Sequence, residues 1–236
     1  MEERIWHQHY DYNVSTEYRF PRIPAHEILN IAANAMPDKA AVNYYGNEIT
    51  FHQMKKQVIA MGTVFEEMGV KKGDRVGIHL PNMPEYIITF YAALSVGAIV
   101  VNFNPLYTAD ELTQLIKLTR LNTLVTFDMG VATLTEVRKN VEIPNLIAAS
   151  VFDSMGGDKT TAESMNLPDG WQHFHTLLDN CKSPRRSRVQ VGFDDPAVIQ
   201  FTGGTTGIPK GAVLTHSNIV CTAFSAVFWG ASTTQY

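Results

Sequence analysis

Apolar positions along this chain change period several times, and each change predicts an element. Over 24–36, Ile28, Leu29, Ile31 and Ala32 interleave with His26, Glu27 and Asn30 at helical spacing, and Pro37 ends the run. Two short stretches, 40–45 and 48–51, flank Gly46-Asn47 and predict a hairpin turning at that pair. Helical period returns over 52–68 through Met54, Val58, Met61 and Phe65, with Gly69 as terminator. Strands are then predicted at 75–80, 98–102 and 123–127, alternating with helices at 84–96 and 109–119. Their unbroken Val/Ile runs fit burial on both faces. Strands alternating with long helices predict an α/β fold: a mostly parallel sheet with right-handed crossovers, flanked by helices.

Three stretches depart from this rhythm. Residues 86–101 carry no charge and imitate a membrane span. They are shorter than the roughly 17–25 residues a spanning helix needs, and Gly97 divides them, so a buried helix followed by a buried strand is expected. Residues 1–22 are aromatic and polar without period, and are expected to wrap over a surface. Residues 152–195 hold Met155-Gly156-Gly157-Asp158, Leu167-Pro168-Asp169-Gly170 and Pro184-Arg185-Arg186-Ser187-Arg188. They predict a surface excursion. Its arginines could meet phosphate or an anionic membrane, and a solvated loop is the simpler expectation. The expected organisation is an α/β subdomain at 1–151, the excursion at 152–193, and strands with a helix at 194–236.

The run Phe201-Thr202-Gly203-Gly204-Thr205-Thr206-Gly207-Ile208-Pro209-Lys210-Gly211 follows the apolar Ala197-Val198-Ile199. Glycines let a backbone approach a ligand, and successive N–H groups in such a turn cradle anions. Three hydroxyls add donors, and Lys210 adds a compact positive charge. Polyphosphate binding is the chemistry this combination points to; a ligand-free hairpin turn is the plainer alternative. A Walker loop is excluded, because Pro209 and Gly211 stand where Gly and Ser/Thr would be needed. Gly211-Ala212-Val213-Leu214 predicts a second strand, so the order is strand, glycine loop, strand. A helix then starts near 215–218, with Thr215, Ser217 or Asn218 as N-cap.

The segment from Thr202 to Gly211, with Leu214-Thr215-His216, closely resembles the phosphate-binding signature of the adenylate-forming superfamily. That group includes acyl-CoA synthetases, peptide-synthetase adenylation domains and luciferases. Ile49-Thr50-Phe51, Gly73-Asp74-Arg75-Val76 and Leu94-Ser95-Val96-Gly97-Ala98 before Asn104-Pro105 stand in the order those enzymes use. Gly203, with Phe201 before it, is more similar to the fatty acyl-CoA ligases. The resemblance implies the N-terminal part of the adenylate-forming large domain, with its phosphate loop between strands. It implies ATP, Mg²⁺ and coenzyme A, with a small-molecule carboxylate as substrate. Thr202, Gly203, Gly204, Thr205, Thr206, Gly207 and Lys210 would hold the β- and γ-phosphates, and Thr202 would touch Mg²⁺. The family's acyl-pocket, adenine and ribose motifs and its mobile C-terminal domain are not in this sequence. An N-terminal fragment is therefore expected, inactive alone, with no catalytic residue of its own and with apolar surface along 220–229 open to self-association. An aryl or other carboxylate ligase, and a non-catalytic binding or regulatory module derived from an adenylating enzyme, are the alternatives.

Composition adds limits. Hydrophobic residues at 45% and charged residues at 18% argue against disorder, and a net charge of −4 gives no pull toward nucleic acid. Two distant cysteines, Cys181 and Cys221, suit a reduced cytoplasmic protein, soluble or peripheral at a membrane. His173 and His175 form a His-x-His pattern that lacks further ligands nearby, so surface histidines are expected. His216 would orient the loop or simply begin the helix, and the second role is the expectation.

Overall fold

Local chemistry accounts for most element boundaries in the computed structural model, which describes residues 4–10, 14–157, 159–202 and 210–233, the last four without side chains. Helix α1 (Glu27–Ala35) stops at Met36, before Pro37. Helix α2 (Phe51–Glu67) begins with a reciprocal cap in which Thr50 accepts from the Gln53 N–H and Gln53 accepts from the Thr50 N–H. It ends in a Schellman turn: Val70 N–H reaches Phe65 O at 2.9 Å and Gly69 N–H reaches Glu66 O at 3.0 Å, with Gly69 at φ +87°.

The hairpin pairs β1 (Ala40–Tyr44) with β2 (Asn47–Thr50), but its turn lies one residue earlier than Gly46-Asn47. Tyr44 faces Asn47, leaving Tyr45 (φ 50°) and Gly46 (φ 89°) as the two turn residues. Asn43 Oδ1 accepts the Gly46 N–H at 3.1 Å and so holds the turn in that frame.

The main sheet has seven strands in the order β7-β6-β5-β3-β4-β8-β9. Strands β3 (Arg75–His79), β4 (Ile99–Asn102), β5 (Thr123–Phe127), β6 (Asn145–Ala149), β7 (Trp171–His173) and β8 (Pro196–Thr202) run parallel, and β9 (Lys210–Thr215) is antiparallel to β8. Two cores form on its faces. Val76, Ile78, Val100 and Ile147 pack with α2, α3 (Pro84–Ser95) and α7 (Phe174–Asn180). Val101, Leu124, Leu146 and Phe201 pack with α4 (Ala109–Thr119) and α5 (Gly130–Val137). Alternate residues of one strand thus serve opposite layers. Gly97 at φ +76° divides α3 from β4, and no helix among the described residues is long and apolar enough to cross a membrane.

The excursion expected at 152–193 supplies structure to the sheet. After the short α6 (Val151–Ser154), Trp171 and His173 enter the core from the edge strand β7, and Phe174 at the start of α7 is fully buried. Three residues are too few for a strand to show as a periodic pattern. At the chain start, Tyr18 stacks on Phe228 with ring centroids 4.4 Å apart, and Tyr10 meets Trp229 edge-on at 4.9 Å. This segment therefore lies over the last helix, α8 (His216–Thr233).

Candidate functional site

Strands β4 and β8 lie side by side and parallel, yet the chain leaves their carboxyl ends in opposite directions. From β4 it crosses through α4 to β5 on one side; from β8 it returns as β9 on the other. Such a switch point is where open α/β sheets place ligands. The glycine-rich run departs from this point. Thr202 and Lys210 form the last pair of the β8–β9 ladder, so the two ends of the run are held together. The Thr202 hydroxyl donates to the Lys210 carbonyl at 3.3 Å, and both side chains are exposed. Gly203, Gly204, Thr205, Thr206 and Gly207 lie outside the described residues.

The ladder also explains Gly211. It faces Phe201, and a Cβ there would stand 2.9 Å from Ile199 Cγ2, too close for any real side chain. Behind the loop, Phe201 stacks on Phe103 at 6.0 Å and anchors β8 to the layer of α4. Polar residues close the same edge: Tyr86 donates to Asn102 Oδ1 and Asn102 donates to Gln200 Oε1, both at 3.1 Å. No sequence expectation named this trio, whose members come from α3, β4 and β8.

Beyond β9, Thr215 and Asn218 cap α8 reciprocally, Asn218 Oδ1 accepting at 3.0 Å and Thr215 Oγ1 at 3.3 Å. His216 begins that helix, as expected, and it is also almost wholly buried. Its Nδ1 accepts the Ala25 N–H at 3.0 Å, which fixes the proton on Nε2. Burial pushes its pKa down to about 4. Beneath it, the Lys72 ammonium at 2.7 Å and the Gly192 N–H hold the Asp195 carboxyl below the usual carboxylate range.

The histidines expected at the surface are built inward. His173 caps α7, shares a hydrogen bond with Thr160 Oγ1 at 3.1 Å, and lies 3.5 Å from the buried Asp153. His175 sits 2.9 Å from Glu85 Oε1, while Glu85 Oε2 accepts from Ser154 at 2.6 Å. The carboxylates that face them, Glu85 on α3 and Asp153 on α6, lie far from them in the chain, so spacing within the sequence could not reveal them. The cysteines Cys181 and Cys221 are both free.

Residues 29–235 match the AMP-binding enzyme family. The chain belongs to that family. A long-chain-fatty-acid–CoA ligase of Bacillus subtilis (strain 168) is 30% identical over 96% of this chain and 42% of its own length. A 4-coumarate–CoA ligase of Oryza sativa subsp. japonica is 29% identical over 84% of this chain and 35% of its own. Among solved structures, a long-chain-fatty-acid–CoA ligase (FadD1) from Archaeoglobus fulgidus superposes with a TM-score of 0.75 at 25% identity, over 94% of this chain and 42% of that one. The chain thus spans about two-fifths of the length of the curated relatives it matches.

Proposed function

We propose that this chain carries the polyphosphate-binding part of an ATP-dependent acyl-CoA synthetase. In that reaction a carboxylate attacks the α-phosphate of ATP, giving an acyl-adenylate and pyrophosphate. The thiol of coenzyme A then displaces AMP to form the thioester. The observation that carries the reading is the glycine-rich run of an AMP-binding domain leaving β8 at the switch point, with Thr202 and Lys210 paired at its base.

In this reading the N–H groups and hydroxyls of 203–207 grip the β- and γ-phosphates, and the Lys210 ammonium offsets their charge. The Thr202 hydroxyl directs its proton at the Lys210 carbonyl and retains lone pairs. That hard oxygen suits Mg²⁺, which keeps waters and phosphate oxygens as its other ligands. Bound Mg²⁺ would neutralise phosphate charge. Long-chain relatives favour a fatty acid as the carboxylate, and the rice relative keeps an aryl acid as the alternative. Because the chain spans 42% of the Bacillus ligase, we expect it to bind ATP without completing adenylation, in the cytoplasm or peripherally at a membrane. A purely binding or regulatory module is the second reading that this partial span supports.

Equilibrium binding of ATP tests the grip. Lys210→Ala is expected to weaken binding by about 1.5–3 kcal/mol, the scale of a charge-assisted contact. Equal affinity in the two proteins would refute the grip, and ATP–pyrophosphate exchange by the 236-residue chain would refute its inactivity.

A further inference from the structure

A cavity of about 80 Å³ lies between the first turn of α1, the middle of α2 and the loop at 185–187. Lys55, Arg185, Arg186 and His26 line it with Ser187, and Glu27 is its sole carboxylate. The loop is fastened in place: Arg185 N–H donates to Thr63 Oγ1 at 2.9 Å, and that hydroxyl donates back to the Arg185 carbonyl at 3.0 Å. Arg185 shares its charge with Glu66 and Glu67 at 3.7 and 3.6 Å, and Lys55 reaches Asn34 Oδ1 at 2.7 Å. Among the described residues Arg186 has no carboxylate partner. On the opposite wall His26 Nδ1 is buried with no hydrogen-bond partner, while its Nε2 lies 3.5 Å from Glu27.

We propose that this cavity binds a small tetrahedral oxyanion, either inorganic phosphate or the terminal phosphate of a monoester. The Arg186 guanidinium presents a donor fork suited to phosphate, Lys55 adds a point charge, and the His26 ring in the wall adds positive charge when protonated. The site is separate from the glycine-rich run, although the two are linked. The His26 ring meets the His216 ring at 6.2 Å, and His216 directly follows β9. Burial lowers the His26 pKa, whereas a bound anion favours its charged form. The charged and titratable groups around His26 are Glu27 on α1, Lys55 on α2, Arg185 and Arg186 on the loop, and His216 on α8.

The test is a phosphate titration of the whole chain followed by NMR of the His26 ring and the Arg186 side-chain N–H groups. It is run in a Lys210→Ala background, so that the glycine-rich run does not compete. Saturable shifts at both groups are expected. The double variant Lys55→Ala/Arg186→Ala should lose at least about tenfold in affinity, the scale of a lost charge-assisted contact. Arg188→Ala, exposed and outside the cavity, should lose nothing. Glycerol 3-phosphate in a parallel titration separates the two sources: binding of both ligands supports a monoester site, and binding of phosphate alone supports a free-ion site. A His26 ring that stays unmoved through both titrations, or a double variant that binds as tightly as its parent, overturns the proposal.

Discussion

His216 makes stability depend on pH, and its contribution can be isolated with one substitution. Its Nδ1 accepts the Ala25 N–H, its side chain is almost fully buried, and burial lowers its pKa from 6.5 to about 4. Below pH 6.5 the unfolded chain binds a proton that the folded chain refuses. Stability is therefore complete above that pH and is lost progressively as the pH falls toward 4. For these two pKa values, linkage gives a loss of about 1.3 kcal/mol between pH 7.5 and 5.5. The nearby Asp195 carboxyl keeps its charge over this range, since it is held below its usual value. His79 is buried in the same way and also lowered to about 4, while His26 and His173 are lowered by burial; all of these contribute to the total slope. His216→Asn places an amide oxygen near the position of Nδ1 and does not titrate. It is expected to cost stability at both pH values through lost packing, but to lose about 1.3 kcal/mol less than the parent between them. Urea unfolding of both proteins at pH 7.5 and 5.5 measures this double difference. Equal losses in the two proteins would refute a buried, neutral His216.

Gly69→Ala places a Cβ at φ +87° in open space, so only backbone strain opposes it. The expected cost is about 1 kcal/mol, or a melting temperature lower by roughly 2–4 °C for a chain of this size; an unchanged midpoint would mean that the Schellman turn had relaxed. Val213, Leu214 and Val227 are exposed on β9 and α8, and we expect the isolated chain to self-associate through them. Sedimentation velocity should show a species that grows with concentration and disappears in Val213→Lys/Val227→Lys, whereas a monomer across all concentrations would dismiss it. That apolar face is smaller than the sequence implies, because Val220 is buried and Tyr18 stacks on Phe228.

Much of this architecture is legible in the sequence because it depends on local chemistry. Thr50 with Gln53 and Gly69 bound α2 through hydrogen bonds closed within a few residues, and the Val/Ile runs of β3 to β5 mark strands buried on both faces. The glycine-rich run likewise announces strand, loop and strand from its own composition, and β8 and β9 form that ladder. The remainder depends on partners far away in the chain. Trp171–His173 is a strand because β6 offers it an edge, and three residues carry no period of their own. His175 is held by Glu85, 90 residues earlier, and His216 by the Ala25 backbone, 191 residues away. The turn sits at Tyr45-Gly46, where the Gly46 N–H donates to the Asn43 side-chain oxygen. The sequence alone determined which segments fold and that a glycine-rich run joins two strands. The tertiary structure decided strand order, the burial of the histidines and the switch point beneath the loop, because each of these depends on side chains that meet only when the sheet has closed.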